Sequence, residues 1–212
     1  MDELYLDTLG RIQNVDPQRL HNVLAVLFTV KEPVSDDVLA ALADLSPEAV
    51  RTTLASFASL LIIQDDKIQV LHKSFADVIT DNKRCTNSGL FVNKILEEPY
   101  LAKRCLEFLN GMVDNKSSGH EVDYAAAYWS LHLVSVAQTS PIELIDAVVS
   151  GLNNFATFHL IHYLEHLSKI KKISTAALSL ELSIMWISRA FMQVGHVKDV
   201  CPSRYSHNPA YF

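Results

Sequence analysis

Ser46-Pro47-Glu48-Ala49-Val50-Arg51-Thr52-Thr53-Leu54-Ala55-Ser56-Phe57-Ala58-Ser59-Leu60-Leu61-Ile62-Ile63-Gln64-Asp65-Asp66-Lys67-Ile68-Gln69-Val70-Leu71-His72-Lys73-Ser74-Phe75-Ala76-Asp77-Val78-Ile79 changes period twice, and those changes decide the fold. It opens as a helix: Ser46 is an N-cap residue, Pro47 suits the first helical position, and Val50, Leu54, Phe57, Leu60 and Leu61 recur at helical spacing. It then reads as two β-prone runs, Leu60 to Ile63 and Ile68 to Leu71, around the polar turn Gln64-Asp65-Asp66-Lys67. Helical period resumes from Ser74 to Ile79. Upstream, Leu4 to Ile12 reads as a short helix. Asp16-Pro17 starts a second, with Leu20, Val23, Leu24, Leu27 and Phe28 on one face, and Ser35 caps a third through Ala43. The resulting order is helices, β-hairpin, helix, the layout of a winged helix over residues 1–81. This layout predicts that Leu61, Ile63, Ile68 and Val70 pack on Leu24, Leu27, Val50, Leu54 and Phe57.

Downstream, the polar stretch 82–89 (Asn82-Lys83-Arg84-Cys85-Thr86-Asn87-Ser88-Gly89) reads as a linker. Residues 90–194 read as four helices: Pro99 to Val113, Val122 to Ala137, Pro141 to Leu167 and Thr175 to Met192. Ser140-Pro141-Ile142-Glu143 is the capping box of the third. Their short connections favour an antiparallel helical bundle. Residues 195–212, with Pro202 and Pro209, read as an irregular tail. The fold class is therefore mainly α, a winged helix followed by a bundle.

Charge narrows the function. Residues 1–81 carry 6 Lys/Arg against 13 Asp/Glu, net −7, whereas residues 82–212 carry 12 against 11, net +1. A DNA-reading winged helix presents cations to phosphate. Here the helix opened by Ser46, the one that would enter the groove, offers Arg51 beside Glu48, and the wing offers Asp65 and Asp66 against Lys67, so nucleic acid is an unsuitable partner. The three cysteines, Cys85, Cys105 and Cys201, form no CxxC pair, which argues against a disulfide framework or zinc site and fits a reducing, cytoplasmic setting. The acidic start Met1-Asp2-Glu3 is unlike a signal peptide, and no apolar run reaches 18 residues free of charge, so no membrane partner is expected.

Other patterns have plainer readings. Leu60-Leu61-Ile62-Ile63-Gln64-Asp65-Asp66 imitates a nucleotide-binding acidic strand, but no GxxxxGK[ST] phosphate loop accompanies it, so strand and turn is the reading. His159, His162 and His166 share a helical face, yet HxxHxxxH is no closed metal pattern, and a polar stripe on a packed helix accounts for it. Trp129, in Tyr124-Ala125-Ala126-Ala127-Tyr128-Trp129-Ser130-Leu131-His132-Leu133, reads as close helix packing of small beside large residues.

Two stretches carry a family resemblance: Val50 to Leu61 with Ile68 to Asp81, and then Arg84-Cys85, Phe91-Val92, Leu101 to Leu106, Tyr124 to Leu133 and Phe158 to Leu167. They resemble the winged helix and following helical region of fungal, basidiomycete-type NACHT/STAND signalling ATPases, relatives of NOD-like receptors. The resemblance implies a regulatory part of a signal-transduction switch. It would act as a nucleotide-dependent lid and interaction scaffold without catalysis of its own. The ATPase core would precede Met1 and WD repeats would follow Phe212. It implies that His72, in Leu71-His72-Lys73, matches the histidine of the family's Met-His-Asp motif and reaches the β-phosphate of ADP. Leu71 and Lys73 depart from that motif. The chain alone would hold no cofactor, with ADP or ATP bound only alongside a NACHT core in cis or in trans. The alternatives are a stand-alone helical protein-interaction module and, less favoured by charge, a winged-helix nucleic-acid binder.

Overall fold

A computed structural model describes residues 2–12, 14–112, 119–137 and 139–200, with 191–200 by backbone alone. The chain is mainly helical with a small two-stranded antiparallel sheet. α1 spans Asp2–Gly10, α2 Pro17–Thr29, α3 Asp36–Ala43 and α4 Pro47–Ser56. A 3-10 turn (Ala58–Leu60) leads into β1 (Leu61–Gln64), β2 (Lys67–Val70) and α5 (Lys73–Ile79). α6 follows at Lys94–Asn110, α7 at His120–Leu133, α8 at Ile142–Asn154, α9 at Leu160–Lys169 and α10 at Thr175–Val200.

The starts of α2, α3 and α4 are set by their caps. Asp16, Ser35 and Ser46 accept hydrogen bonds from the N–H groups of Arg19, Val38 and Ala49, and Pro17 and Pro47 open two of the helices. The β1–β2 connection is a two-residue loop, Asp65-Asp66, with φ of 52° and 60°. Positive φ at both positions is the mirror-image turn that matches strand twist, and Asp tolerates it better than most side chains do. Val34, between α2 and α3, forms an antiparallel bridge to Ile68 on the side of β2 away from β1.

One buried apolar cluster runs from Tyr5 to Trp186. It includes Leu24, Leu27, Val50, Leu54 and Phe57 from the first half and Leu106, Trp129, Leu133 and Tyr163 from the second. The stretch 82–89 is tied into it. Cys85 is buried, its N–H donates to Asp81 O at 2.8 Å, and the Arg84 guanidinium grips Asp2 through two bonds of 2.9 and 2.8 Å. In the second half α6 packs on both α7 and α8, and α9 and α10 pack on α7.

The hairpin expectation is only partly met. Ile68 is buried, but Leu61 and Val70 are half-buried and Ile63 is 70 % exposed. The cause is length: four-residue strands flank the tight turn, and Ile63 and its partner Ile68 sit one step from it. Ile68 reaches the core because Val34 bridges to it; among the described residues no such bridge lies on the outer edge of β1.

Four boundaries also move. α6 begins at Lys94, capped by Asn93, so Pro99 lies inside it; Val113 falls outside the described residues. Ser140 forms no capping box: Pro141 holds the N-cap position, and among the described residues no side chain caps α8 and Ser140 Oγ is buried without a partner. The helix read as continuous from Pro141 to Leu167 is interrupted by a π-turn, Phe155–His159. This widened turn coincides with a packed aromatic trio, Trp129, Phe155 and Tyr163, with ring centroids 5.0, 5.3 and 6.2 Å apart. Finally, α10 runs through Val200, so residues 195–200 are helical and not irregular, since Pro202 is the first residue that forbids continuation; 201–212 lie outside the described residues. The run Ile142–Lys169 is by length and composition apolar enough to cross a membrane, and it also sends Val148, Leu152, Phe155, Tyr163 and Leu167 into the core.

Candidate functional site

His72 occupies the N-cap position of α5, directly after β2, with extended backbone (φ −133°, ψ 131°). Its side chain is exposed, does not cap the helix, and has no hydrogen bond or ion pair among the described residues. The neighbours anchor the junction instead: Phe75 is buried against Tyr5 and Phe28, and Ser74 Oγ lies 2.7 Å from Tyr5 Oη. An imidazole held at a fixed strand-to-helix corner and open to solvent can donate a hydrogen bond to an anion presented from outside.

A second arrangement is internal. Glu98 on α6 is buried, and one carboxylate oxygen lies 2.5 Å from Lys31 Nζ. The other lies 2.6 Å from His132 Nδ1 on α7. His132 Nε2 lies 2.8 Å from Tyr124 Oη, and Tyr124 Oη accepts a bond from the Lys31 N–H at 3.0 Å. Burial pushes the His132 pKa down, against the pull of Glu98. Neutral His132 therefore donates from Nδ1 to Glu98 and accepts at Nε2 from the Tyr124 hydroxyl. Every polar atom in the chain Lys31–Glu98–His132–Tyr124 has a partner, as buried groups require. Next to it, Tyr128 donates to Glu32 at 2.6 Å, and Lys172 stands over the Tyr128 ring at 5.2 Å. Burial raises the Tyr124 pKa well above the ordinary phenol range, so this hydroxyl is not a nucleophile in waiting. The network clamps the α2–α3 connection to α6 and α7.

This network escaped the sequence reading for a definite reason. Starting α6 at Pro99 left Glu98 outside the helix. The turn Lys94–Glu98 that carries it inward is signalled only by the Asn93 cap. On α7, Tyr124, Tyr128 and His132 recur at i, i+4 and i+8, a stripe of polar-tipped residues that was available to find.

The remaining candidates separate. Asp65 and Asp66 are exposed in their turn. His166 Nε2 bonds Asp123 at 2.8 Å and His162 is exposed; among the described residues His159 Nδ1 is buried without a partner, and no group of His, Cys, Asp and Glu could hold a metal. Cys85 and Cys105 are buried free thiols with pKa values raised by burial, and Cys201 lies outside the described residues. Trp129 is buried as read, with Nε1 lacking a partner among the described residues. No family model, curated protein or solved structure matches this chain.

The clamp makes stability pH-dependent in a stated direction. His132 has a folded pKa below its ordinary 6.5, so folded protein binds fewer protons than unfolded protein near that value. Its contribution is complete above pH 6.5 and declines as pH falls. His21 runs the other way: Glu97 raises its pKa, so its contribution is complete below 6.5 and declines as pH rises through the folded value. Denaturant melts between pH 7 and pH 5 should show His132→Asn losing the acid-side decline, and His21→Asn steepening it. Parallel pH slopes for wild type and both variants would refute these assignments.

Proposed function

We propose that residues 1–81 form a winged helix and 90–194 an antiparallel helical bundle, and that together they are the regulatory lid of a NACHT-type signalling ATPase. The lid acts in the cytoplasm and is not catalytic by itself. The element order supports this reading: helix, Val34 bridge, two helices, hairpin, helix, with Val34 beside Ile68. The observation that carries the functional part is His72, exposed and without a partner among the described residues at the corner between β2 and α5. With an ATPase core supplied in cis or in trans, His72 donates to the β-phosphate of ADP. Removing one charge-assisted hydrogen bond is worth roughly 1.5–3 kcal/mol. ADP should therefore leave a His72→Ala parent about tenfold faster or more, at 1.4 kcal/mol per decade. Stopped-flow release of a fluorescent ADP from core-containing protein is the measurement, and equal off-rates would reject the role. The 212-residue chain alone should show no micromolar ADP binding in calorimetry, because an exposed histidine–phosphate pair gains only about 0–1 kcal/mol.

A second reading, a stand-alone helical protein-interaction module, is favoured by one observation. Phe158 on the π-turn and Ile161 on α9 are 68 % and 71 % exposed, and such adjacent bulky apolar groups suit a protein partner.

A further inference from the structure

We propose that the free edge of β1 is a docking edge for an extended, lysine-bearing peptide segment of another protein. β1 pairs on one side only, with Leu61 opposite Val70, Ile62 opposite Gln69, Ile63 opposite Ile68 and Gln64 opposite Lys67. A two-residue loop makes Gln64–Lys67 the hydrogen-bonded closing pair, and hydrogen-bonded and open pairs alternate from there. Ile62 therefore bonds inward to β2, Ile63 turns its N–H and C=O outward, and Leu61 turns its C=O outward while its N–H is held by Ala58 O. Among the described residues no backbone group bonds to the Ile63 N–H and C=O or to the Leu61 C=O. The opposite edge of the sheet is already occupied, because Ile68 N–H donates to Val34 O at 2.8 Å.

Exposed edges are usually blunted by lysine, proline or a bulge. Leu61-Ile62-Ile63-Gln64 has none of these, and Ile62 and Ile63, on opposite faces of the strand, are both exposed. An added strand would satisfy the outward backbone groups and cover both isoleucines, the arrangement of β-strand addition. Charge selects the occupant. Asp65 and Asp66 sit exposed at the end of this edge and form no ion pair among the described residues, within a region of net −7. A second copy of the chain would bring the same acidic surface, at net −6 per chain, so a partner segment with lysines flanking a β-prone stretch fits better.

The test is fluorescence anisotropy of the full chain with a labelled peptide of alternating valine and threonine, flanked at both ends by lysines. Saturable binding that weakens with salt is expected. Ile63→Pro deletes an outward N–H while sparing the bonds to β2, and should weaken binding about tenfold or more. Ile63→Thr keeps the N–H and should retain most of the affinity. The pair Asp65→Asn and Asp66→Gly removes both charges but supplies the residues a mirror-image turn prefers. It should weaken binding roughly three- to tenfold, the range two exposed charge pairs allow, while leaving the melting temperature equal or higher. A purely structural turn would give the higher melting temperature with unchanged binding, and that result overturns the charge assignment. Absence of saturable binding by the wild type, equal affinity for a glutamate-flanked peptide, or unaltered affinity in Ile63→Pro would each overturn the proposal. Self-association abolished by Ile63→Pro and untouched by the peptide would assign the edge to a second copy instead.

Discussion

Replacing Lys31 by methionine should destabilise the protein by about 3 kcal/mol or more, although Lys31 lies in a connection between helices where substitutions are ordinarily mild. The reason is what remains behind. Glu98 keeps its bond to His132 but loses its cation partner Lys31, and a buried carboxylate without a counter-charge is costly; breaking such pairs typically costs about 3–5 kcal/mol. The lower end applies because the Lys31 side chain retains 23 % exposure and water can partly replace it. Adding Glu98→Gln should restore much of the loss, because the amide oxygen still accepts from His132 Nδ1 and no charge remains buried. The coupling read from urea unfolding of the two single variants and the double should fall within about 0.5–3 kcal/mol. Strictly additive losses, or a Lys31→Met loss below about 1 kcal/mol, would show that Glu98 is solvated and that the clamp does not operate.

Phe57→Ala should be of similar size for a different reason. Phe57 is 1 % exposed at the end of α4, where the helix gives way to the 3-10 turn before β1. Truncation removes the ring's transfer free energy and leaves a cavity the surrounding helices only partly collapse into, about 3–5 kcal/mol in comparable cores. Ile63→Ala is the internal control. It removes a similar apolar group from a site 70 % exposed and should change stability by no more than about 0.5 kcal/mol. Chemical denaturation of both variants decides the matter, and comparable losses would mean that the hairpin packs far more closely than these exposures say.

The contrast between Phe57 and Ile63 also shows what the amino-acid sequence makes legible. Helices with a chemical start were read nearly to the residue: Asp16-Pro17, Ser35 and Ser46-Pro47 each announce an N-terminus, and the Asp65-Asp66 turn follows from the polar break between two β-prone runs. Positions set by long-range contacts were not. Period alone gives Ile63 and Ile68 the same face, and only the Val34 bridge makes one of them core. Ser140 satisfies the capping-box pattern but sits where Pro141 takes over as cap. Pro99 offered a familiar helix start, and accepting it hid Glu98. His72 could be singled out by resemblance, but its exposure depends on how Phe75 and Ser74 fasten the start of α5. The Lys31–Glu98–His132–Tyr124 network joins residues up to about a hundred positions apart, and each member looks ordinary in its own neighbourhood.

The grip of Arg84 on Asp2 has a topological consequence. Both side chains are well exposed, so the contact adds little energy. What it records is that residues 2 and 84 are neighbours in space, and the intervening chain leaves where it began. Segments with adjacent ends accept insertion into another chain and tolerate rejoining of those ends with new termini cut elsewhere. Any sequence fused ahead of Asp2 would be delivered beside Arg84, close to the approach to α6, and not to the far side of the molecule.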